Sequence, residues 1–234
     1  MVPSMNGGAQ TPVWVRLRMR KAGPLQFISH LDFLRTLQKA LVRAGLPLWY
    51  SMGYNPIPKI SVAAPLSVGV SSECELVDVR LTRPVDPERA VAALRENLPV
   101  HMAVTELYVP ETKLSALAWI GYEVQVFTDG ASDGLAAACQ DFLASPVIMV
   151  LKKTKSGERE SNIRPQIKEA ACRYDPAADC LALRLVLSAQ QASFLNPEYV
   201  LGALKSACGI AEGAAQGHTI CRTGVFAEDM QPFR

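Results

Sequence analysis

"VWVRLRMRKAGPLQFISHLDFLRTLQKALVRAG" (residues 13–45) decides the fold, because its hydrophobic period changes from two to 3.6 across one short break. In residues 13–21, Val13, Val15, Leu17 and Met19 fall on one face of an extended chain; Trp14, Arg16, Arg18 and Arg20 fall on the other. That alternation predicts a half-buried strand. Gly23 and Pro24 interrupt it. Ser29 then stands where a helix N-cap belongs, with Asp32 three residues on, near the positive helix end. Leu31, Leu34, Leu37, Leu41 and Val42 recur at helical spacing, while Arg35, Lys39 and Arg43 point elsewhere. Gly45 and Pro47 stop the helix.

Working outward, residues 48–51 and 59–64 read as two short strands about a Gly-Tyr-Asn-Pro turn. Pro56 and Pro58 deny that pair regular ladder donors, which marks an irregular edge. Residues 73–81 alternate as a strand. Residues 86–98 form a helix with Asp86 as N-cap and Pro87 at its first position, and 101–109 form a strand. The order β-α-β-β-α-β predicts a ferredoxin-like unit. The order recurs after residue 119: strand 120–127, helix 132–145 capped by Ser132, strand 146–154, a charged hairpin 155–167 leading into a further strand, strand 180–188, helix 196–208 with Asn196 as cap, and strand 219–227. The predicted class is α+β, with two tandem ferredoxin-like units at 13–110 and 120–228. A linker (111–119), a flexible leader (1–12) and a short tail (229–234) complete the chain.

A chain of 234 residues fits two domains of about 100 residues each. With 49% hydrophobic and 20% charged residues it sustains packed cores, which excludes wholesale disorder. No apolar run approaches the roughly 20 residues a membrane span needs, and "MVPSMNGGAQTP" lacks the pattern of a secretory signal. The expected localisation is cytoplasmic, without membrane attachment. The six cysteines form no C-x-x-C pair and have no His at finger spacing, so free and mostly buried thiols are expected rather than a metal site. The net charge of +2 is too small to announce a nucleic-acid binder. Residues 1–110 hold 12 Lys/Arg against 8 Asp/Glu, a balance of +4; residues 111–234 hold 12 against 14, a balance of −2.

Four groups of residues invite chemistry. Ser29, His30 and Asp32 resemble hydrolytic residue types, but neighbours this close at a helix start rarely converge, and capping explains Ser29 and Asp32. His30 is left beside the positive helix end, where an anion could sit. Tyr54, Asn55 and Lys59 occupy a segment stiffened by two prolines and opened by Gly53, either a ligand-facing loop or a connecting turn. Arg16 and Arg18, with Arg20, form a ladder on one strand face. That ladder either contacts RNA or pairs across strands, for instance Arg18 with Asp78. Arg164 and Arg222 suit a carboxylate or phosphate, or an ion pair between domains. The stretch "GIAEGAAQG" (209–217) follows a helix and is not a phosphate loop.

"GPLQFISHLD" (23–32), "LVRAGLPLWYSMGYNPIPKIS" (41–61), "PLSVGVSSECE" (65–75), "NIRP" (162–165), "LSAQQASFLNPEYVL" (187–201) and "CRTGVF" (221–226) together resemble the bacterial radical SAM-linked protein family, a domain of unknown function. The resemblance runs from Val13 to Phe226. Proteins of that family occur as the C-terminal part of cobalamin-type radical SAM proteins, or beside one as a separate chain. No C-x-x-x-C-x-x-C run is present to hold an iron–sulfur cluster, so the resemblance implies the stand-alone accessory form. It implies a non-catalytic protein that binds no cofactor itself. Its partner would be a radical SAM protein using SAM and an iron–sulfur cluster, and its cargo RNA or another anionic substrate. Two alternatives stand beside this one: an RNA-processing or nucleotide-acting enzyme on the same scaffold, with His30 essential, and a protein-docking module.

Overall fold

The computed structural model describes residues 11–154, 157–210 and 217–234. Most of the expected leader, Lys155 of the charged hairpin and most of the 209–217 stretch lie outside the described residues. The chain divides into two compact units, residues 1–115 with Arg234, and residues 116–233.

The first unit runs β1 (Val13–Lys21), α1 (His30–Arg43), β2 (Ile60–Val62), β3 (Val70–Leu81), α2 (Pro87–Asn97) and β4 (Met102–Tyr108). Its strands lie in the order β4-β1-β3-β2, every pairing antiparallel. The caps form as their residue types dictate: the Asp32 N–H donates to Ser29 Oγ, and the Arg89 N–H donates to Asp86 Oδ1. Val15, Leu17 and Met19 of β1 meet Val77, Val79 and Leu81 of β3, under Phe33, Leu37 and Leu41 of α1 and Leu94 of α2. One face of the sheet therefore carries the helices, which leaves the Trp14–Arg20 face for other work.

The buried stripe of α1 differs from the expected one. Phe33, Leu37, Ala40 and Leu41 are buried, whereas Leu31 is 61% and Val42 53% exposed. At 100° per residue, Leu31 and Val42 fall well to one side of the arc centred on Leu37, and packing against the sheet selects the arc that holds Phe33.

The second unit runs β5 (Trp119–Val126), α3 (Asp133–Ala144), β6 (Met149–Thr154), β7 (Gly157–Asn162), β8 (Ile167–Asp175), β9 (Cys180–Ser188), α4 (Pro197–Ala207) and β10 (His218–Phe226). Its main strands lie in the order β10-β5-β9-β8, again antiparallel. This matches the first unit's strand order, with the β6–β7 hairpin inserted after α3. Within the "CRTGVF" segment, Gly224 follows a register shift and lets the Phe226 ring lie flat on the chain. A Cβ there would sit 2.5 Å from Phe226 Cζ. The last residues turn back so that Phe233 is buried and its N–H donates to the Val225 carbonyl.

Both units are α+β. Among the described residues no helix is long and apolar enough to cross a membrane.

Candidate functional site

On the helix-free face of the first sheet, β1 and β3 set Trp14 opposite Arg80 and Arg16 opposite Asp78. Arg16 is wholly buried. Its Nε donates to Asp78 Oδ1 at 2.6 Å and its Nη2 to Oδ2 at 2.9 Å, a bidentate fork. Nη2 also donates to the Thr112 carbonyl at 2.9 Å, which pins the segment after β4 over the sheet. The expected Arg18–Asp78 pair is not formed, because the register places Arg18 opposite Leu76. Tyr108 stands opposite Arg16 on β4, with the Arg234 guanidinium carbon 5.0 Å from its ring centroid. Burial pushes its phenol above the ordinary range against the pull of Arg16, so the hydroxyl stays protonated near neutrality.

Beside that pair lies a cationic aromatic cluster. The guanidinium carbon of Arg80 is 4.6 Å from the ring centroid of Trp49 and 5.8 Å from that of Trp14. Backbone bonds fix it in place. The Trp49 N–H donates to the Arg80 carbonyl, the Arg80 N–H to the Lys59 carbonyl, and the Lys59 N–H to the Trp49 carbonyl. Lys59 is exposed next to this cluster. Adjacent to it opens a cavity of about 700 Å³, lined by Trp14, Ser61 and Asp78 on the sheet and by residues 109–114 along one wall. That volume lies within the roughly 300–1,000 Å³ of small-ligand sites. Its lining is apolar (Val13, Val109, Pro110, Leu114) apart from a few polar groups, the deepest being the Asp78 carboxylate.

Of the residues singled out from sequence, Arg16 and Lys59 belong to this face, and Arg18 lies on the same strand face further along β1. Tyr54 and Asn55 stand at the tip of a hairpin closed by the Ser51 N–H on the Ile57 carbonyl and the Ile57 N–H on Ser51 Oγ. Tyr54 is fully exposed and Met52 86% exposed. His30 is half-buried, stacked on Phe33 with centroids 6.5 Å apart. The Ser29 hydroxyl donates to Asp32 Oδ2 at 2.7 Å, so these three residues form a capped helix start and not a nucleophile–base–acid set. In the second unit, Arg164 donates through Nη1 to the Ile167 carbonyl at 2.8 Å and is held by its own turn. Arg222 is buried on β10 opposite Tyr122.

Trp49, Arg80, Ser61 and the 109–114 wall were not legible as site residues. Trp49 follows the buried Leu48 and so faces away from the core, and strand parity alone could have pointed to it. Nothing in the sequence of the 109–114 wall distinguishes it from a linker. Cysteines expected as scattered core residues also gather. Cys139, on α3, hydrogen-bonds with Cys172 of β8 and with Cys208 after α4. Cys172 and Cys208 are partly exposed rather than buried.

A chain in "Crystal Structure of a Cbf5-Nop10-Gar1 Complex" is similar over 92% of this protein at 12% identity and a TM-score of 0.52; this protein spans half of that chain. At that identity the likeness concerns the fold. A chain in "Crystal Structure of an Unknown Protein from Galdieria sulphuraria" aligns over 91% of this protein and 99% of its own length, at 13% identity and a TM-score of 0.27. No curated protein matches. A family model matches residues 14–197, well over half the chain, and spans β1, the Arg80 cluster and the cavity: the protein belongs to the family described as "Uncharacterized protein conserved in bacteria (DUF2344)".

Proposed function

We propose that this protein is a cytoplasmic, non-catalytic accessory protein of a radical SAM system, and that it presents single-stranded RNA on the helix-free face of its first unit. On this reading both units are ferredoxin-like repeats, as their shared β-α-β-β-α-β order and 4-1-3-2 strand order support. The observation that carries the reading is the Trp14–Arg80–Trp49 cluster with Lys59 beside it. Single-stranded nucleic acid is held by aromatic and guanidinium planes that stack on bases, and by cations that track the backbone. Both kinds of group are present here on a sheet face free of helices. The radical SAM partner is supported by the sequence resemblance alone. It would supply the SAM and iron–sulfur chemistry while this chain holds the substrate.

The test is fluorescence anisotropy with a mixed-sequence single-stranded RNA of 12 nucleotides, on the wild type and on a Trp49→Ala, Lys59→Ala double variant. Saturable binding by the wild type that weakens in the variant supports the reading. Binding no tighter than to a control protein of equal charge sinks it. Co-purification with a radical SAM protein tests the partner separately.

A further inference from the structure

Three cysteines of the second unit gather where α3 packs on β8 and meets the end of α4. Cys139 stands on the buried stripe of α3 with Ala136 and Leu143. It hydrogen-bonds with Cys172 and with Cys208, the residue that ends α4. Cys172 lies on β8, the outer strand of the second unit's β10-β5-β9-β8 order, opposite Leu183. Its backbone N–H donates to Oε1 of Gln140 at 2.9 Å. Two consecutive residues of α3 therefore hold Cys172, Gln140 at the backbone and Cys139 at the thiol, which fixes the two sulfurs against each other. Cys139 is fully buried. Cys172 is half-buried at the edge of the sheet, where a small oxidant can reach it.

We propose that Cys172 and Cys139 are a peroxide-oxidised thiol pair, with Cys172 as the sulfur that reacts first and Cys139 as the one that closes the disulfide. The Cys172 thiolate attacks one oxygen of hydrogen peroxide. An S–O bond forms, the O–O bond breaks, and the departing hydroxide takes up the proton that the thiol released. The Cys139 sulfur then attacks the sulfur of this sulfenic acid. The S–S bond forms, the S–O bond breaks, and the second hydroxide leaves as water with the Cys139 proton. Two thiols and one peroxide become one disulfide and two waters. The hydrogen bond from Cys139 favours the Cys172 thiolate, which is the form that reacts. Oxidation of Cys172 then removes the thiolate that holds Cys139 protonated, while the Cys208 hydrogen bond, which favours a Cys139 thiolate, remains. The disulfide ties α3 to the sheet edge, and reduction releases it. The inference is independent of the RNA reading, since it uses no residue of the first unit.

The fully reduced chain is treated with hydrogen peroxide, blocked with iodoacetamide and digested with trypsin without reductant. Cleavage after Lys168 and Arg173 puts Cys172 on a peptide of its own, apart from Cys139. The Cys139–Cys172 linked pair should be the main oxidised product, and dithiothreitol should remove it. A Cys139→Ser variant has no second sulfur at that position, so dimedone labelling of Cys172 should rise several-fold over wild type. A main product that joins Cys139 to Cys208 overturns the proposal. So does the absence of the linked pair at peroxide levels that oxidise the other thiols, or equal dimedone labelling of Cys172 in wild type and variant. The linked-peptide measurement needs no substitution, so it decides the outcome whether or not the variant folds.

Discussion

Arg16 and Asp78, 62 residues apart in sequence, meet edge to edge inside the first unit through two hydrogen bonds of 2.6 and 2.9 Å. Asp78→Ala leaves a fully buried guanidinium without its carboxylate and should cost about 3–5 kcal/mol in urea unfolding. An Arg16→Met, Asp78→Leu double variant replaces both partners by apolar groups and should recover most of that loss. Equal damage in the single and the double variant would show that the pair contributes nothing beyond side-chain packing.

The Trp49 indole is the nearer of the two rings to the Arg80 guanidinium. Trp49→Ala should weaken single-stranded RNA binding by about 1–3 kcal/mol through lost stacking. Lys59→Ala should act differently. Removing one phosphate contact lowers the slope of log K against log salt by about 0.7 and leaves base preference unchanged. Anisotropy titrations at three salt concentrations separate the two effects, and identical salt slopes for wild type and Lys59→Ala would exclude a backbone contact there.

Gly224→Ala places a methyl group 2.5 and 2.7 Å from two Phe226 ring atoms. The ring or the strand must move, at a cost of about 1–3 kcal/mol. Pairing it with Phe226→Leu should relieve part of that strain, so the double variant melts above the sum of the singles. Thermal denaturation reads both, and strict additivity would mean that ring and methyl do not meet.

The Cys139–Cys172–Cys208 group predicts an order of alkylation. Hydrogen bonding from Cys139 lowers the Cys172 thiol below the ordinary cysteine value, against the effect of burial. Its bond to Cys172, with burial, raises Cys139 far above that value. Burial, with the Cys139 contact, pushes Cys208 up to about 11. At pH 8, iodoacetamide should therefore label Cys172 first. The Cys208 thiolate fraction is then only about a thousandth, and its labelling should rise about tenfold per pH unit until pH nears 11. Cys139→Ala removes the donor and should slow Cys172. Peptide mass spectrometry over time reads the order, and faster labelling at Cys208 than at Cys172 would contradict it.

Much of the architecture was legible because its signals are local. The alternation in Val13–Lys21 and the caps Ser29, Asp86, Ser132 and Asn196 each specify an element from a few neighbouring residues. What failed depended on register and rotation. The α1 stripe that includes Leu31 and Val42 is a reasonable apolar arc in isolation; the sheet, not the helix, chooses the arc that Phe33 occupies. Arg18 and Arg16 are equivalent on a strand face until β3 fixes which of them meets Asp78. Arg164 looked available for an anion, yet a carbonyl three residues on takes its guanidinium. Trp49 and Arg80 lie 31 residues apart, and a direct backbone bond, with two more through Lys59, brings them together.

The Arg16 fork also sets a timetable for the ribosome. A further ligand of Arg16, the Thr112 carbonyl, lies 96 residues downstream. At roughly 5–20 residues per second, a newly made arginine strand waits on the order of 5–20 s for that ligand. Both strands that flank β1, β3 and β4, are made before Thr112, so that carbonyl closes over a strand whose two neighbours already exist.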